Sequence, residues 1–180
     1  MRIIKEQSAL LLIDVQERLY PHMVAKEQLE NNLKILIQGM KVLDVPILVT
    51  QQYTKGLGPT IQPILETLGD FAHIEKIAFS CCDEAKVQGK LNILDKKFIL
   101  VAGVETHVCV LQTVIDLLAA GYIPVLIEDC VSSRKEKDKE IALRRMEKEG
   151  AIITTYESIL FELLRYAGTE QFKAISRLVK

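Results

Sequence analysis

Short apolar runs alternate with longer amphipathic segments along the whole chain. Most of these runs carry no polar alternation, which is typical of strands buried on both faces of a sheet. The predicted strands are 8–15, 46–50, 74–79, 97–103, 122–128 and 151–154. The amphipathic segments repeat apolar residues at helical spacing, and they predict helices at 27–44, 83–95, 106–120, 135–149, 158–166 and 169–178. The glycine and proline content of 54–59 predicts a loop.

This alternation of strands and helices favours an α/β fold. We predict a three-layer α/β/α arrangement with a doubly wound, mainly parallel sheet of about five to six strands. A length of 180 residues without a linker or repeat predicts a single domain over 1–180. Ligands of such sheets bind at the carboxyl ends of the strands. The polar residues that follow the predicted strands are therefore the candidates for a site.

Composition narrows the class of protein. The chain is 49% hydrophobic and 26% charged, which is typical of a globular protein and argues against disorder. Its net charge of −1 gives no support for nucleic-acid binding, which depends on an excess of Lys and Arg. No run reaches the roughly 18 apolar residues that a membrane span needs. The N-terminus has no secretory signal pattern, so we expect a cytoplasmic protein with free thiols rather than disulfides.

Two charged residues stand out at predicted strand ends. Asp14 follows five apolar residues, so its carboxylate is expected at the rim of the sheet; the alternative is a cap for the next segment. Lys76 lies within the apolar run 74–79, where a lysine is unusual unless it is paired or extends to solvent. The alternative for Lys76 is an exposed lysine on an edge strand.

Cys109 lies in the first turn of the helix predicted after strand 97–103. Unpaired N–H groups and the helix dipole there are expected to lower its pKa, and the same N–H groups could hold an oxyanion. The alternative is a small buried cysteine that only packs the helix. His107 is two residues away and does not face Cys109 on a helix. Ser132 and Ser133 are predicted to cap the next helix.

No histidine has a partner at metal-ligand spacing, and the segment GLGPT at 56–60 is not a phosphate-binding loop. We therefore expect neither a metal nor a cofactor.

Three blocks resemble those of the isochorismatase-like cysteine hydrolase superfamily. They are DVQ at 14–16, K-x-x-FS at 76–80 and GVETHVCV at 103–110. The segments TQQYTKGLGPT at 50–60, DCVSSR at 129–134 and QFKAISRLVK at 171–180 resemble, in particular, isochorismatase-domain-containing proteins of unassigned substrate. The resemblance covers nearly the whole chain and implies a catalytic triad of Asp14, Lys76 and Cys109.

The resemblance also implies a reaction. Asp14 would take the proton of Cys109, the thiolate would attack an amide carbonyl, and water would release the acid from a thioester. Lys76 would stabilise the pair electrostatically. The oxyanion would lie on backbone N–H groups around Cys109, in the segment that holds Val104, Glu105 and Val108. The family commonly has a cis peptide before this helix, which here is Val104–Glu105.

Two departures from relatives refine this expectation. Nicotinamidases that use a metal carry Asp-x-His after the second strand, where this chain has Gln51-Gln52-Tyr53, which argues against zinc and nicotinamide. True isochorismatases lack the cysteine, so Cys109 favours the amidases of the superfamily.

We expect a small-molecule substrate and, as in relatives, a homo-oligomer, either a dimer or a tetramer. The expected pocket residues are Gln16, Tyr20, Gln51, Tyr53, Leu57 and Phe79. Two other readings stay open. One is a non-catalytic oligomeric scaffold or partner-binding protein of the same fold. The other is a redox-sensing thiol protein that uses Cys81, Cys82 or Cys109.

Overall fold

Six strands and eight α-helices alternate along the chain, and the computed structural model describes every residue from 1 to 180. The strands are β1 (Ser8–Ile13), β2 (Ile47–Gln52), β3 (His73–Lys76), β4 (Phe98–Val104), β5 (Ile123–Ser132) and β6 (Ile152–Thr154). The helices are α1 (Lys26–Val42), α2 (Thr54–Leu57), α3 (Gln62–Leu68), α4 (Ala85–Leu94), α5 (Leu111–Ala119), α6 (Glu136–Glu149), α7 (Tyr156–Leu164) and α8 (Glu170–Leu178). A π-helical turn occupies Thr106–Val110, directly before α5.

The sheet is entirely parallel, with strand order β3-β2-β1-β4-β5-β6. The chain builds one half outward from β1 to β3 and then returns to the centre to build the other half from β4 to β6. The predicted doubly wound fold is therefore confirmed, and the strand order reverses between β1 and β4. A crevice forms at such a switch point, at the carboxyl ends of the two central strands.

Helices cover both faces of the sheet, which explains why its strands lack polar alternation. Leu10 and Leu12 of β1 pack into one apolar cluster, with residues of α1, α3, α7 and α8. Leu11 and Ile13 pack into the other cluster, with residues of α4, α5 and α6. All six residues of β1 are buried. No helix is both long enough and apolar enough to cross a membrane.

The structure differs from the sequence prediction at several boundaries. The predicted loop 54–59 contains the one-turn helix α2, and helix α3 was not predicted. Strand β5 continues to Ser132 across an irregularity in its pairing with β4. Ser132 and Ser133 therefore do not cap α6, whose N-cap residue is Lys135. The helix predicted from Thr106 begins as a π-helical turn, in which the hydrogen bonds span five residues instead of four.

Gly103 provides a test of how closely the two central strands approach. Its φ angle is +117°, and a Cβ atom there would lie 2.0 Å from the carbonyl oxygen of Ile13. Only glycine fits without moving the backbone directly before Asp14. We expect Gly103→Ala to lower the free energy of unfolding by about 3 kcal/mol or more, measured by urea denaturation.

Gly89 in α4 supplies the matched control. A Cβ atom at Gly89 would meet nothing within 4 Å. Gly89→Ala is expected to stabilise the protein by roughly 0.5–1 kcal/mol, because alanine favours a helix. Wild-type stability in Gly103→Ala would contradict the close approach of β4 to β1.

Candidate active site

Three predicted residues lie together at the carboxyl edge of the sheet. Asp14 directly follows β1, Lys76 is the last residue of β3, and Cys109 lies in the π-helical turn after β4. Their exposed fractions are 0%, 1% and 6%. The Nζ atom of Lys76 is 2.6 Å from Oδ2 of Asp14, and the charge of that carboxyl group acts on the Cys109 thiol. The site thus occupies the switch point between β1 and β4.

Asp14 is held by strand β2 and by Lys76. The hydroxyl of Thr50 donates to its Oδ1 atom at 2.7 Å. The ammonium of Lys76 approaches Oδ2 off the hydrogen-bonding direction, so this contact is an ion pair and Oδ2 has no well-aligned hydrogen bond. Burial raises the pKa of Asp14, and the lowering by Lys76 and Thr50 does not cancel that effect. A carboxylate with a raised pKa is a better proton acceptor.

Lys76 reaches Asp14 across the end of β2, and oxygen atoms surround its ammonium. Besides Asp14, these are the side-chain carbonyl of Gln52 at 2.6 Å and the backbone carbonyls of Phe79 at 3.1 Å and Ala78 at 3.2 Å. Burial alone would lower the pKa of Lys76. The negative charge of Asp14 and the neighbouring thiols outweigh that effect and leave this pKa raised. Lys76 is therefore a buried, protonated cation.

The expectation of a lowered pKa for Cys109 is wrong. Burial raises the pKa of this thiol to about 12, and the negative charge of Asp14 raises it further than Lys76 lowers it. The resting thiol is therefore neutral. Because the groups are strongly coupled, the proton belongs to the group of residues rather than to one of them.

The turn that precedes Cys109 contains the cis peptide Val104–Glu105, as the resemblance implies. The backbone carbonyl of Glu105 accepts hydrogen bonds from the N–H groups of Val108 at 3.0 Å and Val110 at 3.2 Å. The N–H of Val108 is thus already occupied, and it is a weaker candidate for holding an oxyanion. The Glu105 carboxylate binds Nε of Arg134 at 2.8 Å, which ties the turn to the end of β5.

His107 does not approach the thiol. Its Nδ1 atom lies 2.9 Å from the hydroxyl of Ser133, and its Nε2 atom lies 3.9 Å from the carboxylate of Asp138. Both ring nitrogens face β5 and α6, in agreement with the expectation that His107 and Cys109 do not pair.

The two glutamines predicted for the pocket are engaged within the protein. The side chain of Gln16 is completely buried and binds the backbone of Gln52 and Gly58. Gln51 donates to Thr60 and accepts from Thr54. Neither amide is exposed to a substrate in this structure, because both side chains are buried and hydrogen-bonded to protein groups.

The other four residues predicted for the walls of the pocket differ in their surroundings. Tyr53 and Phe79 are 49% and 55% exposed. The backbone N–H of Tyr53 donates to the carbonyl of Lys76 at 2.9 Å, and Phe79 follows Lys76 by three residues. Leu57 is half-buried in α2. The hydroxyl of Tyr20 donates to Glu30 on α1 at 2.8 Å.

Thr50 and Gln52 are the supporting residues that the sequence interpretation missed. Side chains alternate along a strand, so Thr50 and Gln52 point to the same face of β2 while Gln51 points to the other. In the sheet, Thr50 is next to Ile13 and Gln52 is next to Lys76. The alternation of side chains along Thr50-Gln51-Gln52 could have identified Thr50 and Gln52 as supporting residues, once Asp14 and Lys76 were placed on opposite sides of β2.

Fold and site together define a parallel α/β protein with a cysteine beside a buried ion pair at the switch point of the sheet. A model of the isochorismatase domain matches residues 8–158, and the chain belongs to the isochorismatase family. It is 40% identical to isochorismatase family protein 1B of Dictyostelium discoideum, over 99% of this chain and 89% of that protein. It is 37% identical to the secreted isochorismatase effector Isc1 of Phytophthora sojae, over 99% and 87%.

Solved structures agree with this assignment. The MAR1 ribonuclease from Caenorhabditis elegans superposes with a TM-score of 0.93 at 34% identity, over 99% of this chain and 92% of that one. The YcaC gene product from Escherichia coli is described as an octameric hydrolase of unknown specificity. It superposes with a TM-score of 0.92 at 22% identity, over 99% and 90% of the two chains. The second likeness shows a shared fold only.

Proposed function

We propose that this protein is a cysteine hydrolase of small amides, or of related C–N and acyl substrates, with Cys109 as the nucleophile. The observation that carries the proposal is the 2.6 Å ion pair between Lys76 and Asp14, fully buried beside that thiol. A buried ion pair stabilises a fold weakly, because desolvating both charges offsets much of their attraction. Its location at the switch point of the sheet supports a chemical use.

In the proposed first step, Asp14 accepts the proton of the Cys109 thiol while the sulfur attacks the amide carbonyl carbon. A C–S bond forms, and the π electrons of the carbonyl move onto its oxygen. The backbone N–H of Cys109 is the proposed donor to that oxyanion. Lys76 stays protonated and stabilises the negative charge that develops on sulfur.

In the second step, the tetrahedral intermediate collapses and the C–N bond breaks. Asp14 returns its proton to the leaving nitrogen, and ammonia or an amine departs from a thioester on Cys109. A water molecule then gives a proton to Asp14 and attacks the thioester carbonyl. The acid leaves, and the proton returns from Asp14 to the sulfur. This scheme uses only side chains, backbone and water.

The surroundings of the site support a small substrate. Tyr20, Tyr53, Leu57 and Phe79 remain the proposed walls, and two of them are substantially exposed near Lys76. We also propose that the protein self-associates; the YcaC gene product, which shares its fold, is described as an octamer. The four buried, unpaired cysteines support a cytoplasmic location, although one relative is a secreted effector.

Two other functions compete with this proposal. A non-catalytic scaffold of the same fold gives no reason for the buried ion pair beside Cys109. A ribonuclease is suggested by the name of the nematode structure. RNA binding depends on clustered positive charge, whereas this chain has a net charge of −1. The site therefore favours the amide substrate over both.

The test is ammonia or amine release from a panel of small amides, comparing the wild type with Cys109→Ala. We expect the variant to lose at least about a thousandfold in kcat/KM, as enzymes do when they lose their nucleophile. Cys130→Ala is the matched control, because Cys130 is equally buried but belongs to the other apolar cluster. Full activity of Cys109→Ala would refute the proposal.

A further inference from the structure

Strand β2 ends between the two charged residues of the site, and its last residue contacts one of them. Gln52 is next to Lys76 in the register of β2 and β3. Its side-chain carbonyl accepts a hydrogen bond from Nζ of Lys76 at 2.6 Å, as short as the contact of Nζ with Asp14. Gln52 is thus the only uncharged side chain that accepts a hydrogen bond from this ammonium.

The amide of Gln52 is fixed from two directions. Its Nε2 atom donates to the backbone carbonyl of Ile77 at 2.6 Å, which orients the carbonyl oxygen toward Lys76. Its backbone N–H and C=O both bind the side chain of Gln16, at 2.7 and 3.0 Å. Gln16 also holds the carbonyl of Gly58 at 2.7 Å. Gln16 is completely buried and follows β1, so its hydrogen bonds hold the end of β2 in position.

We propose that Gln52 is a positioning residue of the hydrolase: it fixes where the Lys76 ammonium lies relative to Asp14 and Cys109. The inference rests on the proposed function, in which that cation stabilises negative charge on sulfur. A four-carbon lysine side chain is flexible, and a second, neutral acceptor 2.6 Å from its Nζ atom restricts it without neutralising its charge. Gln52 itself touches no reacting atom.

The carbonyl of Gln52 is suited to this role because it adds no charge to a coupled site. The ionisable groups that act on Lys76 are Asp14, Cys109 and Cys81. A carboxylate at position 52 would compete with Asp14 for the cation, whereas an apolar side chain would remove one of the four oxygen atoms that surround the ammonium. Glutamine avoids both effects.

The test is a double-mutant cycle that needs no knowledge of the substrate. We would measure the rate of Cys109 alkylation by iodoacetamide between pH 6 and 10, by peptide mass spectrometry, in four proteins. These are the wild type, Gln52→Met, Lys76→Met and the double variant. Methionine keeps the length of both side chains but removes their polar atoms. Asn32→Leu is the control, since it also removes a hydrogen bond to a backbone carbonyl but lies on α1.

We expect Gln52→Met to slow alkylation at pH 8 about tenfold, a factor typical of losing a hydrogen bond to a charged group. Lys76→Met should slow it more, and Gln52→Met should add nothing in the Lys76→Met background, because its effect passes through the cation. Asn32→Leu should leave the rate unchanged. If Gln52→Met is unstable, Gln52→Asn replaces it, with a smaller effect in the same direction.

The remaining outcomes separate the two proposals. If Lys76→Met slows alkylation and Gln52→Met does not, Gln52 has no positioning role and the proposed function stands. If Gln52→Met slows alkylation equally in both backgrounds, its effect is general and the positioning role is again refuted. If neither variant changes the rate, both the positioning role and the role of Lys76 in the proposed function fail.

Discussion

Asp14→Asn is expected to abolish amide hydrolysis while making Cys109 easier to alkylate near neutral pH. The negative charge of the carboxylate raises the pKa of the thiol, so its removal should lower that pKa. The same change removes the proton acceptor that the proposed reaction needs. Activity and thiol reactivity should thus change in opposite directions.

The measurement is the rate of iodoacetamide labelling of Cys109 from pH 6 to 10, alongside turnover of an amide substrate. A thiol with a pKa of about 12 should react about tenfold faster per pH unit throughout this range, because the thiolate fraction rises in that proportion. In Asp14→Asn we expect labelling at pH 8 to be at least about tenfold faster and to level off at a lower pH.

Asp129→Asn is the matched control for this experiment. Asp129 is another carboxylate with a raised pKa, but it is only partly buried, lies in β5 and accepts a hydrogen bond from the backbone of Tyr156. Its replacement should leave the labelling profile of Cys109 unchanged. Slower labelling of Cys109 in Asp14→Asn would contradict our assignment, because it would mean that the carboxylate activates the resting thiol.

The sequence was sufficient to predict the sheet and the positions of the charged residues. Runs such as 8–15 and 97–103 have no polar side, so they had to be central strands covered by helices on both faces. A carboxylate at the end of such a run can only lie at the sheet edge. Lys76 was harder to interpret, because the same residue in an edge strand could equally point to solvent.

What could not be predicted depends on contacts between segments that are distant in the sequence. The pKa of Cys109 follows from its burial and its distance to Asp14, and neither is visible in a helix-start pattern. The roles of Gln16 and Gln51 follow from backbone groups that the fold brings to them. Helix α3 is only seven residues long, too short for its periodicity to stand out.

The buried ion pair predicts a large change in stability. Lys76→Met leaves the Asp14 carboxylate without its cation, at a position with no exposure to water. We expect this variant to lose about 3–5 kcal/mol of unfolding free energy at pH 7, measured by urea denaturation. Lys173→Met is the control. Lys173 pairs with Glu170 at 2.7 Å on the surface, where such a pair contributes little, and stability should be nearly unchanged.

The loss in Lys76→Met should depend on pH with a defined sign. Without the cation, burial holds the pKa of Asp14 above its unfolded value, since only Thr50 and Cys109 still favour the charged form. A carboxyl group whose pKa is raised by folding destabilises the folded state progressively as the pH rises above the pKa of that group in the unfolded chain. The deficit relative to the wild type should therefore shrink when unfolding is measured at pH 5 instead of pH 7. A deficit that grew on acidification would contradict the burial of an unpaired carboxylate.

The double variant Asp14→Asn/Lys76→Met tests whether the ion pair serves to stabilise the fold or to carry out the reaction. Replacing both members of a buried ion pair with neutral residues of similar size is often neutral or stabilising, because neither charge then has to be desolvated. We expect the double variant to recover most of the stability lost by Lys76→Met while remaining inactive on amides. Stability would then be independent of the pair, and its retention beside Cys109 would be explained by proton transfer. Single variants within about 1 kcal/mol of the wild type would show instead that the site is hydrated and that the charges are not buried.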